Sequence, residues 1–348
     1  MRRTIDIDQL IRPCLKALKP YSSARDEYTG GTSGMVFLDA NENPFDNGVN
    51  RYPDPHQRQL KAKISEIKEI PSANIFLGNG SDEVLDLLFR AFCEPGIDNC
   101  ISLPPTYGMY KVLSGINNVE NREVLLNQDF QPDRAGIDQM MDDNTKLLFL
   151  CSPNNPTGNL MNSEIIHQVL EDFNGLVVID EAYIDFSTSE SWLKQLPKYK
   201  NLVVTQTLSK AYGLAGIRLG MCFASEEILE VLNRIKPPYN VNELSQQRAV
   251  SALNNKKNYE IEKVCIINEK DRLYKQLLQI KFINRIFPSE ANFFLIRVDD
   301  ADKRYAQLID HGIVVRNRGN QPLCKNTLRI TVGTKEENDR LIKVLQTI

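Results

Sequence analysis

The stretch from Asn201 to Gly220, NLVVTQTLSKAYGLAGIRLG, changes character half-way along. Its first residues form an apolar run of strand length. Thr205, Thr207 and Ser209 then place hydroxyls on alternate positions, and Lys210 follows. Ala211, Gly213, Ala215 and Gly216 keep the next segment small, and Arg218 comes eight residues after the lysine. A lysine at the end of a buried strand often marks only the exit to solvent. In a chain with 42 lysines and arginines, that reading stands until the other strand ends are considered.

Working outward, apolar runs of strand length recur from about residue 52 to 238: NIFLG, NCISLP, KLLFLCSP, LVVID, NLVVTQT and LGMCFA. Helical stretches or loops separate them. Near-continuous Val/Ile/Leu/Phe runs alternating with helices predict an α/β fold with a mostly parallel sheet covered by helices on both faces. PPYNVN (Pro237–Asn242) breaks the pattern. A long helical stretch follows, containing SQQRAVSAL and YEIEKVCIINEKDRLYKQLLQI. The strands ANFFLIRV, GIVVRN and TLRITVG then predict a smaller α+β domain. At the start, DIDQLIRPCLKAL reads as a short helix, TGGTSG as a glycine-rich turn, and MVFLDANENPF as a short strand entering a loop. The predicted division is an N-terminal arm with part of the small domain over 1–45, a large domain over 46–240 and a small domain over 241–348.

Composition narrows the function classes. The 348 residues are 42% hydrophobic and 25% charged, ordinary for a soluble globular chain of two domains. A net charge of −3 implies neither a nucleic-acid partner nor a membrane surface. MRRTIDIDQL lacks the apolar run of a secretory signal, and no segment approaches the about 20 apolar residues of a membrane span. Seven cysteines, odd in number and without a C-x-x-C pair, predict reduced cytosolic thiols. The histidines His56, His167 and His311 lack metal-ligand spacing, so no metal is expected.

In open α/β sheets, ligands collect beyond the carboxyl ends of the strands. Four such ends carry polar residues. NIFLGNGSDEVLDLLFRAF is strand, glycine turn and helix. Ser81 is a candidate cap, Asp82 and Glu83 suit the positive helix end, and free amides there bind phosphate; a plain strand-to-helix turn is the bland alternative. A dinucleotide fingerprint fits poorly, because its third glycine would fall at Glu83. KLLFLCSPNNPTG pins Asn155 on a proline-stiffened loop, either as an ordinary turn residue or as a rigid amide donor. GLVVIDEAYIDF ends a buried strand on Asp180, which needs a partner. It is either a cap or internal ion pair, or a carboxylate facing a cationic ring nitrogen, with the phenol of Tyr183 nearby. NLVVTQTLSK brings Thr207, Ser209 and Arg218 within reach of a phosphate beside Lys210. As a set, these groups match the needs of pyridoxal 5′-phosphate (PLP): an amine for the aldehyde, a carboxylate for the ring nitrogen, and anchors for the phosphate.

The motifs LDANENPF, NRYPDP, GNGSDE, PPTYGMY, CSPNNPTG, VVIDEAYIDF, TLSKAYGLAGIRLG, PPYNVN and LRITVGT span nearly the whole chain. In these the sequence resembles the fold-type I PLP-dependent aminotransferases, and PPTYGMY with LRITVGT resembles their histidinol-phosphate branch. Gln206 is a departure, standing where relatives often carry a basic residue.

The resemblance implies a role for each matched residue. Lys210 bonds to the cofactor's aldehyde and later shuttles a proton. Asp180 pairs with the ring nitrogen, Tyr183 and Asn155 hydrogen-bond the ring oxygen, and Tyr107 stacks on the ring face. Ser81 and Asp82 supply amides to the phosphate, with Thr207, Ser209 and Arg218 helping. Tyr52 reaches the phosphate from a second copy, so the resemblance implies a homodimer with shared active sites. Arg329 and Arg316 are the implied clamp for the substrate's phosphate and for glutamate, with Arg318 a competing candidate for the Arg316 position. Tyr21 and Asn41 complete the implied substrate contacts, Tyr21 from the other subunit. The implied reaction transfers an amino group between histidinol phosphate and 2-oxoglutarate, in the cytoplasm, as part of histidine biosynthesis. A decarboxylase of threonine phosphate and an aromatic aminotransferase are the alternatives.

Overall fold

The computed structural model describes residues 5–22, 27 and 35–348. A seven-stranded sheet organises the larger part of the chain. It is built from β1 (Ile75–Asn79), β2 (Asn99–Ser102), β3 (Glu120–Glu123), β4 (Thr145–Cys151), β5 (Leu176–Asp180), β6 (Leu202–Thr207) and β7 (Leu219–Phe223), in the spatial order β1-β7-β6-β5-β4-β2-β3. The run from β6 to β3 is parallel, whereas β7 is antiparallel to both its neighbours. Alternation of side chains sorts the central strands into two cores. Val177 and Ile179 pack into one with Leu202 and Val204, while Leu176 and Val178 pack into the other with Val203 and Phe149. Both faces are therefore apolar, as the unbroken runs of these strands require.

Helices cover both cores. After the short α1 (Ile7–Leu10) and α2 (Pro13–Lys16) come α3 (Arg58–Lys68), α4 (Gly80–Phe92), α5 (Met109–Ile116), α6 (Arg134–Met140), α7 (Ser163–Asp172) and α8 (Glu226–Ile235). Helix α4 buries Val84, Leu85, Leu88, Phe89 and Phe92, and each such side chain contributes about 1.5–3 kcal/mol of transfer free energy. Its start lies against β7. A Cβ on Gly220 would fall 2.2 Å from the Ser81 nitrogen, and one on Gly80, at φ +73°, would fall 2.6 Å from Arg218 Nη2. Glycine at these two points lets the two chain segments touch at the sheet's functional edge.

The second sheet is antiparallel: β8 (Ile283–Ile286), β9 (Phe293–Val298), β10 (Arg316–Asn317) and β11 (Thr327–Thr331), in the order β10-β11-β9-β8. It follows α9 (Glu243–Asn254) and α10 (Lys256–Leu277), and packs with α10, α11 (Ala301–Asp310) and α12 (Lys335–Thr347) around a third core that holds Leu273, Phe294, Leu308 and Leu341. Val241, Ala249 and Leu253 pack into the same core as Leu202 and Val204, and so does Leu295 of β9.

Three local expectations change. DIDQLIRPCLKAL is two short helices, because Pro13 forces Arg12 into an extended conformation between them. GIVVRN contributes only the two residues of β10. Residues 35–38, expected as a strand, are not part of one, and Val36 and Leu38 stand 80% and 86% exposed. TGGTSG lies outside the described residues.

Candidate active site

The carboxyl ends of β1, β4, β5 and β6 and the start of β7 open on one cavity of about 470 Å³. Asp180 ends β5. Its Oδ2 accepts the Tyr110 hydroxyl at 3.0 Å, and its Oδ1 accepts the Ala182 N–H at 3.1 Å. The carboxylate is buried and has no lysine or arginine ion-pair partner among the described residues. Burial raises its pKa, and the two donors pull against that rise.

Lys210 follows β6 and lines the same cavity, its Nζ 5.5 Å from the Tyr183 ring centroid. Gly213, at φ +65°, closes the turn behind it, donating its N–H to the Lys210 carbonyl at 3.0 Å. Burial first and the charge of Arg329 second lower the lysine's pKa, which favours the neutral, nucleophilic amine. Tyr183 lies edge-on to Phe293 at 5.2 Å, and burial raises its phenol pKa, so it remains a donor.

At the other end, Thr207 Oγ1 sits 3.0 Å from Ser209 Oγ and 3.1 Å from the Leu219 carbonyl. Asp82 Oδ1 accepts the Tyr107 hydroxyl at 2.9 Å, and its Oδ2 is 3.7 Å from Arg218 Nη2. These groups cluster at the first turn of α4, where unpaired amides and the helix dipole favour an anion.

The small sheet supplies the remaining wall. Arg316 and Arg329 are directly paired across β10 and β11. Arg318 is two residues beyond Arg316, hence on the same face of an extended chain. All three line the cavity. Like charges opposite one another destabilise a sheet, and no carboxylate pairs with any of the three among the described residues. Burial and its two arginine neighbours hold Arg318 down to about 10. The Nε atoms of Arg318 and Arg329 are buried without a partner, and Arg329 Nη1 donates to Asn155 Oδ1. A cavity wall built this way is complementary to an anion.

The comparisons agree with this geometry. The family "Aminotransferase class I and II" matches residues 26–345. The chain belongs to the class I and II aminotransferases. A histidinol-phosphate aminotransferase of Flavobacterium johnsoniae is 61% identical over 344 residues, covering 99% of each chain. Among solved structures, the histidinol-phosphate aminotransferase from Clostridium acetobutylicum superposes with a TM-score of 0.79 at 26% identity, over 86% of this chain and 90% of that one. The one from Sinorhizobium meliloti, solved in complex with pyridoxal-5′-phosphate, gives 0.78 at 24% identity, over 85% and 82%.

In this aminotransferase, one chain brings together Ser81, Asp82, Tyr107, Asn155, Asp180, Tyr183, Thr207, Ser209, Lys210, Arg218, Arg316, Arg318 and Arg329 around the cavity. Arg316 and its competing candidate Arg318 both line the cavity. Tyr21, Asn41 and Tyr52 lie elsewhere. Tyr52 is half-exposed, stacked on Tyr239 at 4.4 Å, and shares a second hollow with Asn41. Tyr21 is 73% exposed on a third hollow, with Lys19 and Arg58. The sequence reading missed Tyr110, Cys151 and Gln321. PPTYGMY did carry a signal for Tyr110, since Tyr107 and Tyr110 are one helical turn apart. Cys151 and Gln321, which also line the cavity, left none.

Proposed function

We propose that this aminotransferase uses PLP to exchange an amino group between histidinol phosphate and 2-oxoglutarate, giving imidazole-acetol phosphate and glutamate in histidine biosynthesis. The observation that carries the reading is the occurrence of one desolvated lysine and one buried carboxylate without an ion-pair partner in a cavity that also holds three arginines with no carboxylate paired to them among the described residues. The residues fit the cofactor: Asp180 has no ion-pair partner among the described residues, and the first turn of α4 lines the same cavity as Arg218, a cation for the phosphate. When bound, PLP supplies the aldehyde and the electron-withdrawing ring that make the substrate's Cα–H acidic.

The chain's own groups do the rest. Asp180 neutralises and orients the ring nitrogen. Asn155 and Tyr183 hold the ring oxygen, and Tyr107 covers a ring face. Ser81, Asp82, Thr207, Ser209 and Arg218 hold the phosphate. Lys210, as a neutral amine, would move the proton at the substrate's Cα, a task its lowered pKa suits. Arg316, Arg318 and Arg329 receive the substrate's phosphate and, in the second half-reaction, the carboxylates of glutamate.

A second copy completes the proposed site. Tyr52, Asn41 and Tyr21 are assigned to the neighbouring protomer's cavity. The exposed apolar residues Val36, Leu38 and Phe45 beside Asn41 support an interface there. The seven free thiols support a reducing, cytoplasmic setting.

The test is a panel of histidinol phosphate, threonine phosphate and phenylalanine, each with 2-oxoglutarate. Glutamate should form fastest from histidinol phosphate. Carbon dioxide release from threonine phosphate without an oxo acid would overturn the reading in favour of a decarboxylase, and preference for phenylalanine would favour an aromatic aminotransferase. Lys210→Ala should lose the borohydride-reducible cofactor adduct and nearly all turnover. An adduct that survives would place the covalent bond on another lysine.

A further inference from the structure

We infer that Tyr110 is a positioning residue: its hydroxyl holds Asp180 as an oriented anion and so sets how tightly the cavity grips a protonated aromatic ring nitrogen. The inference rests on the cofactor reading above. Tyr110 and Asp180 are buried to within 3% of fully, and their oxygens are 3.0 Å apart. Tyr110 donates to Oδ2 and the Ala182 N–H to Oδ1, which fixes the plane of the carboxylate. The Thr205 hydroxyl, directly across on β6, also favours the anion. The backbone donor is independent of side-chain identity, and of the two hydroxyls only that of Tyr110 lies at hydrogen-bond distance.

The phenol is held where it must be. Its ring stacks on Phe149 of β4, with centroids 4.7 Å apart and planes 10° from parallel. Its edge meets Tyr107 at 5.6 Å and 85°. Tyr107 in turn donates to Asp82 at the first turn of α4. A continuous path of rings and hydrogen bonds therefore runs from Asp82, at the anion end of the cavity, to Asp180 at the other. Burial pushes the Tyr110 phenol well above its ordinary pKa, so it stays protonated and remains a donor at any working pH. It also pushes Asp180 toward the neutral form, which would forfeit the charge a ring nitrogen needs. A donor to the anion opposes that loss.

The competing account is that Tyr110 only fills the space between α5 and β4. Tyr110→Phe keeps the ring and removes one atom, so it separates the two. The refolded or cofactor-stripped variant should melt close to wild type. Its PLP dissociation constant, read by equilibrium dialysis, should rise about 10- to 100-fold, the worth of a hydrogen bond to a charged group. In the loaded enzyme, kcat should fall while KM for the amino donor stays put. In an Asp180→Asn background the same substitution should cost almost nothing, because the charge it serves is gone. Equal losses in both backgrounds, or unchanged PLP affinity in the single variant, would overturn the inference. Should Tyr110→Phe fail to fold, Phe149→Leu loosens the stacking and leaves the hydroxyl; PLP affinity unchanged by it would overturn the inference as well. A wild-type chain that takes up no PLP would instead sink the cofactor reading itself.

Discussion

Asp180 and Glu181 are adjacent in sequence, both buried, and both raised in pKa by burial, yet they serve opposite ends. Glu181 points away from the cavity and is satisfied by the protein. Its Oε1 accepts the Trp192 N–H at 2.7 Å, and its Oε2 accepts the Ser191 hydroxyl and the Gln206 amide, the latter at 2.8 Å. Asp180 accepts from Tyr110 and the Ala182 N–H and lines the cavity with Lys210 and the arginines. Neither carboxylate has an ion-pair partner among the described residues, though the charge of Lys68 reaches Glu181. The difference teaches that burial and a shifted pKa do not mark function here. What marks it is a charge whose complement the protein leaves out.

The sharpest way to break this comparison is to neutralise each carboxylate in turn. Asp180→Asn should lower kcat on histidinol phosphate by about 10²–10³-fold, the usual loss when a preorganised charge is removed. Glu181→Gln should leave kcat within a few-fold of wild type. Comparable losses from both would mean that the pair acts as one unit.

The second prediction concerns stability. Glu181 is held up to about 7 from an ordinary 4.5, so between those values the native chain binds a proton that the unfolded chain has released. Stability therefore falls as pH rises through that window, and the loss is complete above about pH 7, on the order of 3 kcal/mol. Urea unfolding of the wild-type chain at pH 5 and pH 8 should show the decline once the other titrating groups are matched. Glu181→Gln should remove this part of the slope. A slope that survives the substitution unchanged would assign the titration to another group.

Much of this contrast was legible in the sequence, and some was not. The continuous apolar runs gave the parallel sheet, since a strand buried on both faces has no polar alternation to hide. Strand ends such as Asp180 and Lys210 stood out because a polar residue there interrupts such a run. The partners of those residues did not. Tyr110 meets Asp180 across 70 positions of chain, and Arg329 meets Asn155 across 174, and no local pattern encodes such contacts. Residues 35–38 differ for a related reason: an apolar run reads as a strand, but a strand is made by pairing over distance, which an apolar run alone does not encode.

The smallest predicted effect extends the comparison to cations. Arg304 is the counterpart of Glu181: its guanidinium grips Asp299 through Nε at 2.9 Å and Nη2 at 2.7 Å. Arg318 is the counterpart of Asp180, half-buried beside Arg316 and Arg329 with no carboxylate to meet it among the described residues. Removing Arg318 relieves repulsion in the free protein and takes one charge from the anion wall. Arg318→Gln should therefore melt at or slightly above wild type, while KM for histidinol phosphate rises about tenfold, as loss of one charge-assisted hydrogen bond requires. The increase should be smaller for glutamate, which spreads its two negative charges over two separate carboxylates where a phosphate monoester concentrates nearly two on one group. Arg304→Gln should do the reverse, lowering the melting temperature and leaving both KM values alone. If Arg318→Gln destabilises the fold and spares KM, its charge belongs to the protein after all, and the wall is built from Arg316 and Arg329 only.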